Sequence, residues 1–392
     1  MTLLKAAPDS NRFMPPLQRL SYIDVLRGLA ALLVVYQHAS LVTLNPALHI
    51  DGLEQSVIEF FRDVISIGEV GVCIFFMISG FVVPFSLLKY ERNPIRNFAA
   101  HRFFRLYPTY WFSVPLGLVF VYWRFGVQYG GQQISWATFF ANLSMVQTFF
   151  GFDDIMGQYW TLALELVFYL LCAVLFLGRR LDSFKAMMVI LLAVVVGREI
   201  GRHYWGIDTE FFRLSTMFRF LDFMFFGLLY RKWLLEDDKQ AGWQAILVLI
   251  FALVTYGGPT VIRKFIGGDH LALKPQLTYL TAVAIFVLCT RVHQPTNRIG
   301  AYLGKISYSI YLFHPVVFYP LFIYWFPYSP AHSYPHVFIA ATMALTVLAS
   351  TLTYRYIEKP FIAMGSKFFS SDRTVEALQG GRRGDSAIRS AG

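Results

Sequence analysis

"IDVLRGLAALLVVYQHASLV", Ile23 to Val42, is the stretch whose reading decides the fold. Its apolar length suits one crossing of a bilayer core, which takes about 20 residues as a helix. It nevertheless carries Asp24, Arg27 and His38. A charge in mid-membrane costs roughly 3 kcal/mol on insertion scales, so such residues face a protein interior or a wet cavity. Arg27 and His38 are eleven residues apart. At about 100° and 1.5 Å per residue, they lie roughly 20° apart in azimuth and about 16 Å apart in height. They share one face, and Asp24 lies close to the same stripe. Two readings stand on this helix alone. One is a functional stripe; the other is an interfacial Asp24–Arg27 ion pair with His38 as an interhelical hydrogen bonder.

Composition places the whole chain in a membrane. Of its 392 residues, 56% are hydrophobic and 15% charged, against about 25% charged in soluble domains. Apolar runs near bilayer length recur and predict ten transmembrane helices: 23–43, 66–88, 108–125, 157–177, 184–203, 212–230, 243–259, 275–291, 304–325 and 336–356. The expected fold class is an all-α integral membrane protein. Most of the 34 Lys and Arg residues fall on alternate loops, above all in "KYERNPIRNFAAHRFFRLYP". By the positive-inside rule this puts both termini in the cytoplasm. The net charge of +10 follows from that topology and is no nucleic-acid footprint.

Residues 1–22 read as a cytoplasmic N-terminal segment without the basic, apolar, small-residue order of a cleavable signal peptide. Residues 23–361 read as the transmembrane domain. Residues 362–392 read as a polar, disordered cytoplasmic tail. Cys73, Cys172 and Cys289 sit inside apolar runs and show no disulfide framework or metal spacing. The outer stretch "WATFFANLSMVQTFF" reads as an interfacial helix.

Other spans add chemistry. In "GQYWTLALELVFYLL", Gln158, Thr161, Glu165 and Tyr169 line one helical face. Glu165 falls in the same membrane half as His38. A carboxylate there could fix the imidazole tautomer and stabilise its protonated form. The alternative is a structural Glu–His hydrogen bond. On the inner side, "HRFFRLYP" sets Arg102 and Arg105 one turn apart at the level of Arg27. Three arginines can clamp phosphates by bidentate hydrogen bonds, although positive-inside sorting would also put arginines there. In "GKISYSIYLFHP", Ser307, Tyr311 and His314 share a face, and Pro315 frees the Tyr311 carbonyl from its helical bond. Tyr311 and His314 are candidates to line a donor tunnel, with helix kinking and packing as the competing account. Ser79-Gly80 reads as a packing element, and Arg219 and Asp222 read as a structural pair.

Together these pieces resemble the membrane-bound acyltransferase family 3. "YIDVLRGLAALLVVYQH" with its Arg-x10-His, "GVCIFFMISGFVV", the Arg-x-x-Arg of "RFFRLYP", "QYWTLALELVFY", "GKISYSIYLFHPVV" and "YRYIEKPF" occur in family order from residue 22 to about 361. The resemblance implies transfer of an acyl group, acetyl above all, from cytoplasmic acyl-CoA to a hydroxyl of a carbohydrate or lipid-linked saccharide. It implies His38 as general base, Arg27, Arg102 and Arg105 on the CoA phosphates, no metal, and a multi-pass location in the inner or plasma membrane in contact with lipid. Some members carry a trailing extracytoplasmic esterase-like domain. None is expected here, so the chain is similar to the stand-alone exopolysaccharide, nodulation-factor and macrolide O-acyltransferases. A rival reading is a proton-coupled secondary transporter of glycans or organic acids, with Arg27, His38 and Glu165 as the relay. A third is a scaffold within a polysaccharide export complex.

Overall fold

The computed structural model describes residues 20–43, 53–89, 93–125, 128–129, 132–133, 135–205, 217–255, 266–267, 273–325 and 335–366. Most of the expected N-terminal segment and of the expected tail, 1–19 and 367–392, lie outside the described residues. So do the first residues of the expected span 212–230.

The described chain is helical apart from a two-residue antiparallel pair, Gln128–Tyr129 with Gln132–Gln133. The helices are α1 (Ser21–Thr43), α2 (Leu53–Asp63), α3 (Ile67–Leu87), α4 (Pro94–Phe125), α5 (Trp136–Asn142), α6 (Trp160–Leu177) and α7 (Phe184–Trp205). They continue with α8 (Leu221–Glu236), α9 (Lys239–Thr255), α10 (Lys274–Val287), α11 (Arg298–Lys305), α12 (Ser307–Pro320) and α13 (Pro335–Thr353). A helix satisfies its own backbone, and for that reason it can lie in lipid.

Among the described residues, four helical stretches are long and apolar enough to cross a membrane: Ile67–Leu87, Trp160–Leu177, Lys274–Val292 and Pro335–Ser366. α11 and α12, bent by 72° at Ile306, make a fifth if they are one broken span. α1 has the length, 23 residues, but Asp24, Arg27, Gln37 and His38 dilute its apolar content. α4 starts well before the expected span at 108. "PIRNFAAHRFF" is helical, with Pro94 in the first turn, where its missing N–H costs nothing. The basic segment read as a loop is thus the front half of a 32-residue helix.

Two close backbone approaches organise the bundle. A Cβ on Gly80 of α3 would stand 1.8 Å from the Met224 carbonyl oxygen of α8, and one on Gly227 would stand 2.1 Å from that of Met77. Small residues let membrane helices meet at this range and gain van der Waals contact. Gly80 is therefore the packing element that the sequence suggested. Gly304 of α11 holds the start of α1 in the same way: a Cβ there would lie 1.8 Å from the Asp24 carbonyl oxygen. Around the α3–α8 seam, Phe81, Phe168, Phe223, Phe225, Tyr230 and Phe286 are almost completely buried. α1 packs on α3, α11, α12 and α13, so its polar face looks into the protein.

Candidate active site

Two cavities lie along α1, one near Arg27 and the other near His38. The inner one, about 80 Å³, is lined by Arg27, Ser79, Arg105, Glu165, Tyr308 and Tyr311 among others. Arg27 lies within electrostatic reach of Asp24, Arg102, Arg105 and Glu165. Glu165 accepts hydrogen bonds from Ser79 Oγ (3.3 Å) and from the Tyr169 hydroxyl. Arg102 donates to that hydroxyl (3.4 Å) and to Ser86 Oγ (3.2 Å), and its guanidinium sits 4.9 Å from the Tyr169 ring centre. The expected arginine layer is therefore brought together, cross-tied by a carboxylate and a tyrosine. Glu358 joins it: this buried carboxylate accepts from Ser309 Oγ at 2.7 Å and couples to Arg105 and Arg27. Sequence reasoning gave Glu358 no role. Its signal was a lone acid inside "YRYIEKPF", beyond an apolar span.

The outer cavity, about 410 Å³, is lined by Gln37, His38, Arg62, Trp160, Arg219 and Lys274 among others. His38 is exposed to it. Its Nδ1 lies 3.0 Å from the Val34 carbonyl oxygen. A carbonyl only accepts, so Nδ1 carries the proton and Nε2 keeps its lone pair. The ring of His314 lies 4.9 Å from that of His38, tilted by 37°. Pro315 has no N–H to give to the Tyr311 carbonyl, and His314 Nδ1 supplies the missing donor at 2.7 Å. By the same logic His314 Nε2 is an unprotonated acceptor, and it is buried with no hydrogen-bond partner among the described residues. Two neighbouring imidazoles are thus set in one tautomer by backbone carbonyls, each with Nε2 free.

Tyr311 lines both cavities. Its hydroxyl pairs with Thr161 Oγ1 at 2.7 Å and donates to the Gln158 carbonyl at 3.3 Å. α6 and α12 are latched together at the boundary between the chambers.

Three sequence expectations are revised in detail. Glu165 does not reach His38; it is held in the arginine layer by Ser79 and Tyr169, and the neighbour of His38 is His314. His314 packs its ring beside that of His38, with Nδ1 tied to the Tyr311 carbonyl. Arg219 pairs with Glu69 of α3 at 2.9 Å rather than with Asp222. Asp222, three residues on, is buried, and its carboxylate oxygens have no hydrogen-bond partner among the described residues. Ser79 divides from its neighbour Gly80: the glycine packs, whereas the serine faces the inner cavity. No group of three His, Cys, Asp or Glu that could hold a metal occurs among the described residues.

A family model described as an acyltransferase domain, that of acyltransferase 3, matches residues 20–355. The chain is 26% identical over 347 residues to the Bacillus subtilis (strain 168) protein named "Putative peptidoglycan O-acetyltransferase YrhL", covering 77% of this chain and 52% of that one. It is 24% identical over 344 residues to O-acetyltransferase OatA of Staphylococcus aureus (strain NCTC 8325 / PS 47), covering 77% and 54%. It is 25% identical over 375 residues to an O-acetyl transferase of Shigella phage Sf6, covering 89% and 98%. The chain thus spans about half the length of the two bacterial relatives. No solved structure matches.

Proposed function

This chain belongs to the acyltransferase 3 family, and on that premise we propose that it is a multi-pass membrane O-acetyltransferase moving an acetyl group from cytoplasmic acetyl-CoA to a hydroxyl of a carbohydrate or lipid-linked saccharide. The proposal includes the finer topology: ten spans, both termini cytoplasmic, a transmembrane domain over 23–361 flanked by the segments 1–22 and 362–392, in the inner or plasma membrane. The observation that carries it is the pair of chambers on one helix, with cations at one end of α1 and an imidazole of fixed tautomer at the other.

The donor enters from the inner side. Arg27 and Arg105 meet its phosphates, with Arg102 holding Tyr169 and Glu165 behind them. The roughly 16 Å between Arg27 and His38 along α1 is the stretch that the pantetheine arm covers. The thioester then lies at the Tyr311 boundary, and the saccharide hydroxyl enters the outer chamber.

His38 Nε2 takes the hydroxyl proton while the oxygen attacks the thioester carbonyl. The new C–O bond forms and the C–S bond breaks. CoA leaves as a thiolate that receives the proton from the His38 imidazolium. The Val34 carbonyl, accepting from Nδ1, orients the ring and stabilises the imidazolium. Glu165 serves the donor side as the carboxylate that balances the arginine layer.

The test is direct. Full-length protein in detergent is given acetyl-CoA labelled in the acetyl group, together with a saccharide acceptor. Label in an ester on the saccharide is the expected result. Intact acetyl-CoA with every acceptor tried, from protein shown to be folded, would overturn the reading.

A further inference from the structure

We propose that the outer chamber selects a saccharide bearing a negative charge, a carboxylate or a phosphate, beside the hydroxyl that is acetylated. This deepens the reading above and rests on it: the outer chamber must be the acceptor site.

The argument begins with charge. Three basic side chains, Arg62, Arg219 and Lys274, line this chamber, and Glu69 is the one carboxylate among the described residues that do so. They arrive from three separate elements, the end of α2, the 3-10 turn before α8 and the start of α10. Arg219 is bound to Glu69 at 2.9 Å. Arg62 is bound to Asp63 at 2.7 Å in a pair about two-fifths exposed, a geometry worth little in water. Lys274 differs from both. Its ammonium donates to the Arg62 backbone carbonyl and makes no ion pair among the described residues. Arg219 Nε is likewise buried without a partner among the described residues. The chamber therefore holds more cation than its own carboxylates balance. In the topology proposed here it opens outward, where sorting during insertion disfavours Lys and Arg. Topology gives no reason for these charges; an anionic occupant does.

An aromatic surface lies in the same wall. Trp160, half-buried, lines the chamber and packs on Phe220 at 5.4 Å between ring centres. The Arg219 guanidinium sits 4.7 Å from the Phe220 ring centre. A sugar ring laid on Trp160 thus has a cation beside it and the free Nε2 of His38 in the same chamber. An acidic sugar satisfies all three at once: ring face on indole, anion on Lys274 and Arg62, hydroxyl on His38.

The experiment gives the purified full chain acetyl-CoA and three matched oligosaccharides: one bearing a uronate, its carboxyl-reduced neutral counterpart, and a glycosyl phosphate. Wild type should favour at least one charged acceptor over the neutral one by about tenfold in kcat/KM, the size of one charge-assisted hydrogen bond. The preference should shrink as salt is raised. Which charged arm wins names the source of the anion. Lys274→Gln should reduce the preference to within about twofold, mainly through KM, whereas Lys274→Arg should keep most of it. Arg62→Gln, at an exposed position, should erode it too, which guards against a Lys274 variant that fails to fold. Equal use of neutral and charged acceptors by wild type overturns the proposal and leaves the acetyltransferase reading standing. Transfer to none of the three from folded protein overturns both.

Discussion

Arg27 and His38 belong to one helix, yet the chambers at their two ends are built differently. Beside Arg27 and Arg105, which line the inner cavity, the neighbouring polar groups satisfy one another: Arg102 on Tyr169 and Ser86, Tyr169 and Ser79 on Glu165, Ser309 on Glu358. Around His38 they are left with something to spare. His38 and His314 each give one nitrogen to a carbonyl and keep the other, and His314 Nε2 is buried with no donor among the described residues. A buried polar atom left unpaired costs about 1–3 kcal/mol, and at His314 that atom belongs to the ring packed beside His38. The contrast separates holding from reacting: fixed charge at the inner end, unshared lone pairs at the outer end.

The largest expected effect tests that separation at once. His38→Ala should lower acetyl transfer by about 10²–10⁴-fold, the usual contribution of a general base, with acetyl-CoA affinity unchanged. Turnover and acetyl-CoA binding, measured on the same purified variant, decide it. If Glu165→Gln removes turnover as completely as His38→Ala while leaving donor affinity intact, Glu165 belongs to the reacting end and the division fails.

Next come the arginines. Arg27→Ala or Arg105→Ala should weaken acetyl-CoA binding by roughly 10- to 150-fold, corresponding to the loss of about 1.5–3 kcal/mol for a hydrogen bond to a charged group. Arg102→Ala should cost less, because its guanidinium is engaged with Tyr169 and Ser86. These arginines also serve insertion, so loss of activity alone says little. Dephospho-CoA thioesters give the control. They should bind wild type more weakly and lose little further when the phosphate-contacting arginine is removed. Equal binding of both donors by every variant would return the arginines to topology.

The boundary between the chambers gives a smaller effect. Tyr311→Phe deletes the hydroxyl that ties α12 to Thr161 and to the Gln158 carbonyl. A hydrogen bond of this kind contributes about 1 kcal/mol net, so a change of roughly fivefold is expected. It should appear as a higher ratio of acetyl-CoA hydrolysis to transfer, since a looser boundary admits water to the thioester. An unchanged ratio would mean that Tyr311 is wall and not latch.

How far the sequence reached is best seen at single residues. The Arg27–His38 stripe was legible because both residues lie on one helix, where spacing fixes the geometry. The same holds for Glu165 and Tyr169, one turn apart, and for His314 beside the carbonyl that Pro315 frees. Partners across helices were not legible. Position along the span put Glu165 level with His38, whereas packing against α3 sets it among the arginines, on Ser79 and Tyr169. Arg219 was given to Asp222 by proximity in sequence, whereas Glu69 sits 150 residues away. Glu358 stood in "YRYIEKPF" with no helical spacing to tie it to the arginines. α1 is polar because it faces protein, and hydropathy alone reads that burial as a weaker span.

The smallest prediction concerns the rim of the outer chamber alone. Asp154 lies in the loop that brings Gly157 and Gln158 into the chamber wall. Burial pushes its carboxyl up to about 6 from 3.8, against the hydrogen bonds it accepts from Gln147 and from Thr148 Oγ1 at 3.0 Å. Its folded state holds the proton more tightly than the unfolded chain does. The stability it contributes is therefore full below the unfolded value and lost as pH rises through about 6. Hydrogen exchange over residues 147–158, corrected for intrinsic rates, should show protection falling across that window. Asp154→Asn keeps an oxygen for both donors and removes the charge, so its protection should stay flat. Exchange around Glu165, at the inner end, should not distinguish the two proteins. If wild type and Asp154→Asn lose protection together, the ionisation of Asp154 does not set the rim, and the outer chamber owes its pH response to other groups.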